Sequence, residues 1–514
     1  MIRDTILKFI RFAFPARFLI LVLAVCLLLL TGHVMGWMSI FKSSGCAVVG
    51  EDMIRDQTPS ADRLLRVAVY PCGGFTGGLV ANGGMKENRD SLFSKQYAVD
   101  VRFILVNSQD EGLEMLGKNQ VDVIWSEAPV LPQRIPAYPC LNPAVFMLYG
   151  YSQGHHALFV REGIRAVSDL KAKRLVCIKG SAGHFLLLLL LQNNQIKRED
   201  VDWKFVLSDT DVIRILDKGE ADAGFLSSPL WQSRLKRRDL VKIFSTEDAG
   251  RLIPGVFVVR EGLLVQRADI LEKFVRGWFE GVKEAQNNQD HAQRIVETAF
   301  GITGDNARKL IESWTGAGFE TNADYFQLTD DAPWGYGDLQ ELSFRVWKAS
   351  GYVKGLSQTS RVKYSSILSG LYQEYFKQKK KKKKSKDKAD KHKGKLSGSG
   401  MVLYSGLRMN YPNNETDVSH LDSVRLKTVA LTAYIFDRSI IRVQGLTDSR
   451  EKKSSYYWEK RYKKIVRQLE DYGISGNRVL LEELLPYEPQ KGQEGMKQVE
   501  IKIMASGREF DGNR

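Results

Sequence analysis

The sequence predicts an α/β protein made of two similar lobes, followed by a separate smaller α/β domain. Three observations lead there. Short apolar runs alternate with amphipathic stretches from Leu64 onward, which is the pattern of strands alternating with helices in a largely parallel sheet. A stretch of the first half recurs a hundred residues later: Met115–Trp125 (MLGKNQVDVIW) and Ile215–Phe225 (ILDKGEADAGF) each read as a helix end, a small polar turn and an apolar strand with an aspartate near its start. A lysine-rich tract then separates everything before residue 377 from a final α/β unit.

At 514 residues the chain has room for two or three domains. Its net charge of +15 is concentrated. Lys377–Lys395 holds twelve lysines against two aspartates, so +10 of the total sits there. The remaining domains are only mildly basic, and nucleic acid is not among the expected partners. The tract, 377–400, cannot form a core and reads as a linker, with attraction to anionic polymer or headgroups as the alternative.

Phe18–Leu30 carries no polar side chain, and apolar character resumes from Val34 to Phe41. Phe18–Trp37 gives the roughly 20 residues that a membrane-crossing helix needs. Arg3, Lys8, Arg11 and Arg17 precede it, which places residues 1–17 in the cytoplasm and the rest outside. The expected layout is a cytoplasmic tail (1–17), an uncleaved transmembrane helix in the inner membrane (18–41) and a spacer (42–63), then 64–376, 377–400 and 401–514. A cleaved signal peptide is the alternative for the first segment. Outside Cys26 in the span, Cys46, Cys72, Cys140 and Cys177 allow three pairings, and neither disulfides nor free buried thiols are preferred.

In the first lobe, strand Leu65–Tyr70 runs into the glycine-rich turn Gly73–Gly78, and strands follow at Val99–Val106 and Val121–Trp125. In the second, strand Arg174–Ile178 meets the turn Gly180–Gly183 and a leucine-rich helix, His184–Gln192. Strand Trp203–Val206 follows, then a helix capped by Ser208 and strand Ala221–Phe225. Helices are expected at Leu263–Asn288, His291–Phe300, Asp305–Trp314, Asp338–Ala349 and Tyr364–Phe376. Two such lobes imply a ligand cleft between them. A strand that turns into a helix presents free amides to an anion. The candidate ligand-binding residues are therefore Gly74 and Thr76 in the first lobe and Ser181, Ala182, Gly183 and Asp209 in the second, with Trp125 and Trp231 as aromatic walls. For each, turning the chain or filling the core is the competing role.

The stretches Ser168–Leu190 (SDLKAKRLVCIKGSAGHFLLLLL) and Leu207–Trp231 (LSDTDVIRILDKGEADAGFLSSPLW) resemble periplasmic substrate-binding proteins of the nitrate, sulfonate and taurine type. The likeness extends over Leu64–Gln373 and implies a hinge-bending clamp for a small anionic solute, serving an ABC permease or a sensor. Ile440–Ser475 (IIRVQGLTDSREKKSSYYWEKRYKKIVRQLEDYGIS), closed by Lys497–Met504, resembles OmpA-type peptidoglycan-binding domains. That resemblance implies an α/β sandwich with peptidoglycan as partner. Thr447 and Asp448 would stand in its binding motif, Asp448 on the ammonium of the stem-peptide diamino acid and Arg461 on its carboxylate. Leu446 replaces the family's histidine, and Met496-Lys497-Gln498 its asparagine and paired arginines.

The sequence thus reads as an inner-membrane-anchored periplasmic binding protein tethered to the cell wall. The alternative is a structural envelope protein whose clamp serves protein interaction. A flagellar-stator role lacks an acidic residue in the span. An enzyme based on His155, His156 or His184 lacks a nucleophile–base pair, and no cofactor or metal spacing is present.

Overall fold

The computed structural model describes residues 63–138, 141–329, 332–355, 362–382, 401–412, 414–447, 454–486 and 497–505. The expected span at 18–41, the spacer, most of the lysine tract, Asp448, Cys46 and Cys140 lie outside them. No helix among the described residues is long and apolar enough to cross a membrane.

Lobe 1 holds a six-stranded sheet, in the order β11-β4-β10-β3-β1-β2. Its strands are β1 (Leu64–Val69), β2 (Asp100–Leu105), β3 (Val123–Glu127), β4 (Pro143–Ser152), β10 (Pro254–Arg260) and β11 (Trp314–Gly316). Lobe 2 holds five, in the order β7-β6-β8-β5-β9: β5 (His156–Arg161), β6 (Arg174–Ile178), β7 (Asp202–Val206), β8 (Ala223–Ser227) and β9 (Leu240–Ser245). The core of each sheet is parallel, as expected: β1 pairs with β2 and β3, and β6 with β7 and β8. Both sheets are nevertheless mixed. β10 runs antiparallel to β3 and β4, and β5 antiparallel to β8 and β9. The cause is the connectivity: the chain leaves lobe 1 after β4 and returns into it as β10, so the crossing strands enter each sheet against its grain.

The duplication suspected from the sequence is structural. In lobe 1, helix Gln109–Gly117 is capped by Ser108 and leads to β3; in lobe 2, helix Asp209–Asp217 is capped by Ser208 and leads to β8. Asp122 accepts from the backbone amide, Nε and Nη2 of Arg66 at 2.8–3.0 Å. Asp222 accepts from the same three groups of Arg174 at 2.7–3.0 Å. Each fork ties the start of one strand to the turn before its parallel neighbour. The Arg174 fork, first of several causes, lowers the Asp222 carboxyl to about 2.

The glycine run is a correction. Gly73–Phe75 is a single 3-10 turn and Thr76–Asn82 an α-helix, so Gly77 and Gly78 are helical. They allow this helix to press onto Ala268–Asn287: a Cβ on Gly78 would lie 2.0 Å from the Trp278 ring, and one on Gly281 2.0 Å from the Gly77 carbonyl. Gly78→Ala should therefore cost about 1–3 kcal/mol by overpacking; denaturant unfolding with no loss would show that the two helices can separate freely. The expected helix Leu263–Asn288 is likewise two, Glu261–Gln266 and Ala268–Asn287, and the Tyr364 helix, found at Ser366–Lys382, continues past the assigned linker start at 377.

The C-terminal domain is a sheet in the order β12-β16-β13-β14, with β15 also paired to β13. Its strands are β12 (Val402–Tyr411), β13 (Ser439–Thr447), β14 (Val479–Leu481), β15 (Leu485–Pro486) and β16 (Lys497–Ala505). Helices His420–Ile435 and Ser454–Asp471 connect β12 to β13 and β13 to β14. Leu407, Val429, Ile441, Ile465 and Ile501 are within 1% of full burial in its core.

Candidate functional site

Two chain segments join the lobes, Ser152–His156 and Ser245–Pro254. They are bonded to each other: Ser152 N–H donates to Ile253 O and Thr246 N–H to His156 O. The Thr246 hydroxyl oxygen accepts from the amides of Gly154 and His156. Such a pair of short crossings is the geometry of a hinge.

The ends of β1 and β3 face lobe 2 across this hinge. Glu127 closes β3 and meets His156 Nε2 at 2.9 Å, both side chains being almost fully buried. His156 Nδ1 lies 3.1 Å from the Ser152 hydroxyl. The Tyr70 ring packs on Trp125 at 4.1 Å and approaches His155. Burial, then the neighbouring His156, holds His155 well below the usual imidazole range. From lobe 2, Asp209 accepts from Ser227 N–H at 2.9 Å. Burial pushes its carboxyl up to about 6, an effect that the nearby Glu127 reinforces and His156 opposes. The cleft floor therefore carries two carboxylates from opposite lobes around one histidine.

At the other side of the cleft, Ser181 caps the helix Ala182–Asn193 by accepting from His184 N–H, while its own hydroxyl donates to Ile178 O. Ala182 and Gly183 are buried, Gly183 against Phe225. The turn before them is met by lobe 1: a Cβ on Gly180 would lie 3.3 Å from Gln133 Oε1 and 3.9 Å from Arg134 Nη2. Arg134 also pairs with Asp110. Helix Tyr336–Ala349 clasps both lobes. Gln340 donates to Ala128 O and Trp347 to Pro129 O in lobe 1, and Gln192 of lobe 2 donates to Val346 O. At the rim, Pro229–Gln232 touches Asp305–Glu312. The two lobes are thus in direct contact at the rim and beside Gly180.

Trp125 and Asp209 thus lie around the buried Glu127–His156 pair between the lobes, and Ser181, Ala182 and Gly183 at the helix start that follows the turn met by Gln133 and Arg134. Trp231 is half-buried at the rim, with the Arg234 guanidinium 4.4 Å over its ring. Gly74 and Thr76 lie elsewhere, on the wall of a cavity of about 640 Å³ shared with Gln286, Arg308 and Trp314; there Gly74 is wedged against Tyr149 and Trp314, and the Thr76 hydroxyl donates to Gly73 O. Neither Glu127 nor His156 is among the residues that the sequence singles out for ligand binding. Glu127 ends an apolar strand at the place where Ser227 ends the equivalent strand of lobe 2, a positional signal that could have singled it out. Cys72 and Cys177 are free and buried, so the pairing between them is excluded. No cluster suited to a metal occurs among the described residues.

In the C-terminal domain, Arg461 is 3% exposed, donates to the carbonyls of Glu415 and Pro412 and lies over the Tyr411 ring. Thr447 is the last residue of β13, and its partner in the motif, Asp448, lies outside the described residues.

The two lobes have the mixed α/β fold of periplasmic binding proteins, and residues 90–320 match the family model of the ABC transporter, phosphonate, periplasmic substrate-binding protein. Among solved structures, the chain is similar to the periplasmic aliphatic sulphonate-binding protein of Escherichia coli, at 15% identity and a TM-score of 0.48, over 60% of this chain and 99% of that one. The alkanesulfonate-binding protein of Xanthomonas axonopodis pv. citri bound to MOPS gives 14%, 0.45, 59% and 99% in the same order. A Candida albicans protein described as having the generic periplasmic-binding-protein fold gives 13%, 0.46, 59% and 96%. No curated protein sequence matches.

Proposed function

We propose that the chain is a periplasmic solute-binding clamp working with an ABC permease, anchored in the inner membrane by residues 18–41 and tethered to peptidoglycan by residues 401–514. The observation that carries the clamp reading is the pair of duplicated lobes joined by a two-segment hinge, with Glu127 and Asp209 facing one another across it. The family match at residues 90–320 supports a phosphonate-like solute. The first amides of the Ala182–Asn193 helix, with Arg134 beside the preceding turn, suit its anionic group. The acidic floor suits a cationic group at the other end. Tethering is supported by the β12–helix–β13–helix–β14 order and by the likeness of Ile440–Ser475 to the wall-binding motif.

The test is a thermal-shift screen of the whole protein against phosphonates, sulfonates, their aminoalkyl forms, phosphate and nitrate. A true ligand at 100 times its Kd should add about 2.7 kcal/mol and raise Tm, and Trp231→Ala should abolish the shift. Silence across the panel, with peptidoglycan still pulled down by the protein, would favour the second reading, a structural envelope body. One observation supports that second reading: the larger of two buried apolar clusters extends from the lobes into the C-terminal domain, while a smaller one around Val176, Val212 and Leu216 stays within lobe 2.

A further inference from the structure

The C-terminal domain is seated on the clamp at three places. On lobe 2, Gln195 Nε2 donates to Ser405 O at 2.8 Å, the Ser405 hydroxyl to Asn194 Oδ1 at 3.3 Å, and Phe436 meets the edge of Phe244. On the hinge, Gly250 N–H donates to Asp437 Oδ1 at 2.9 Å, and the Arg251 guanidinium lies 4.3 Å over the Tyr434 ring. On lobe 1, Trp334 Nε1 donates to Tyr472 O at 3.0 Å, Pro333 packs against Gly473, and the Lys427 ammonium lies over the Trp334 ring; the next residues, Gly335 and Tyr336, pack on Gln327 and Phe326, just past the helix Phe319–Tyr325 that Asn322 binds to Leu148 of β4.

We infer that the C-terminal domain is a brace across the hinge, so that it must leave one lobe before the clamp can open. The domain cannot stretch between its footholds. Ser405 is on β12 and Tyr472 follows the second helix, and both are held to one sheet whose core residues are buried. Opening rotates Gln195 and Phe244 of lobe 2 away from Pro333 and Trp334 of lobe 1, about a line that passes through Gly250. One set of contacts must then break. By linkage, whatever undocks the domain lowers the cost of opening, and whatever opens the clamp favours undocking. A pull on the C-terminal domain and the state of the cleft are coupled through this seat. The inference stands whatever either domain binds.

Spin-label distances in the full chain test it, with Cys26, Cys46 and Cys140 replaced by serine. Lys236→Cys with Lys309→Cys reads the clamp, and Glu199→Cys with Arg438→Cys reads docking. The perturbed protein carries Gln195→Ala, Arg251→Glu and Lys427→Glu. All three native side chains are exposed, so folding should survive, and Arg251→Glu sets like charges against Asp437. The expected result is that both distances lengthen and broaden relative to the unperturbed chain. A lengthened docking distance with an unchanged clamp distance overturns the brace. An unchanged docking distance overturns it too, because the contacts named here would then not hold the domain.

Discussion

Trp347→Ala is expected to destabilise the protein by about 3–5 kcal/mol, the usual cost of truncating a large buried aromatic. Trp347 is completely buried, and its ring packs against His184, Phe185 and Tyr352 at centroid distances of 5.2, 6.0 and 5.6 Å. His184 and Phe185 belong to lobe 2, whereas the indole N–H donates to Pro129 O of lobe 1 at 2.8 Å. The substitution therefore opens a cavity in one lobe and strips a carbonyl partner from the other. Trp347→Phe separates the two effects. It restores most of the packing and leaves the Pro129 carbonyl unpaired, so it should recover all but about 1–3 kcal/mol. Urea unfolding of the three proteins measures both steps. A loss below 1 kcal/mol for Trp347→Ala would mean that the clasp contributes little to holding the lobes together.

Much of this architecture was legible because its signals are local. Strand Arg174–Ile178 has the bounds that the sequence predicts, and Ser208 is the cap it predicts, since a strand bounded by turns and a serine before an amphipathic run need no tertiary information. The repeated aspartate was legible too. Its purpose was not, because Arg66 and Arg174 sit 56 and 48 residues upstream and become partners only when parallel strands align. The crossing strands were missed for a related reason. Pro143–Ser152 is buried along nearly all its length and carries no alternation that separates strand from buried helix. Gly73–Gly78 misled because glycine has two uses. Backbone freedom predicts a turn, whereas close helix approach, the use found here, depends on Trp278 and Val282 two hundred residues away.

The site was legible in outline only. Ser181 is a ligand-binding candidate in the sequence, and the structure commits its hydroxyl to Ile178 O and its lone pair to His184 N–H. A capping serine and a ligand-binding serine have the same sequence signature, a small polar residue ahead of an apolar helix. Glu127 and Asp209 differ from ordinary surface carboxylates only through burial, which the surrounding lobes impose.

Acid should unfold this protein through His184, and the variant His184→Phe should blunt the effect. His184 is enclosed by Trp203, Phe205, Trp347 and Tyr352, with ring centroids 4.8–5.2 Å away. Its Nδ1 accepts from Gly180 N–H at 3.1 Å, which fixes the neutral ring as an acceptor there. Burial, then the charges of Arg198 and Lys179, lowers its pKa from 6.5 to about 3. Between pH 6.5 and 3 the unfolded chain therefore binds a proton that the folded protein refuses. Stability must fall as the pH drops through that window, with a slope near 1.4 kcal/mol per pH unit and a total of about 5 kcal/mol. Neutral pH leaves the contribution intact, because the ring is uncharged in both states. His155, also buried and depressed, acts in the same direction, so His184→Phe should remove one proton from the slope rather than flatten it. At pH 7 the variant should lose about 1–3 kcal/mol from the orphaned Gly180 amide. The two proteins should accordingly converge in stability as the pH falls toward 4. Urea midpoints that stay parallel over pH 7 to 4 would show that His184 takes up its proton without unfolding, and would remove it as the acid trigger.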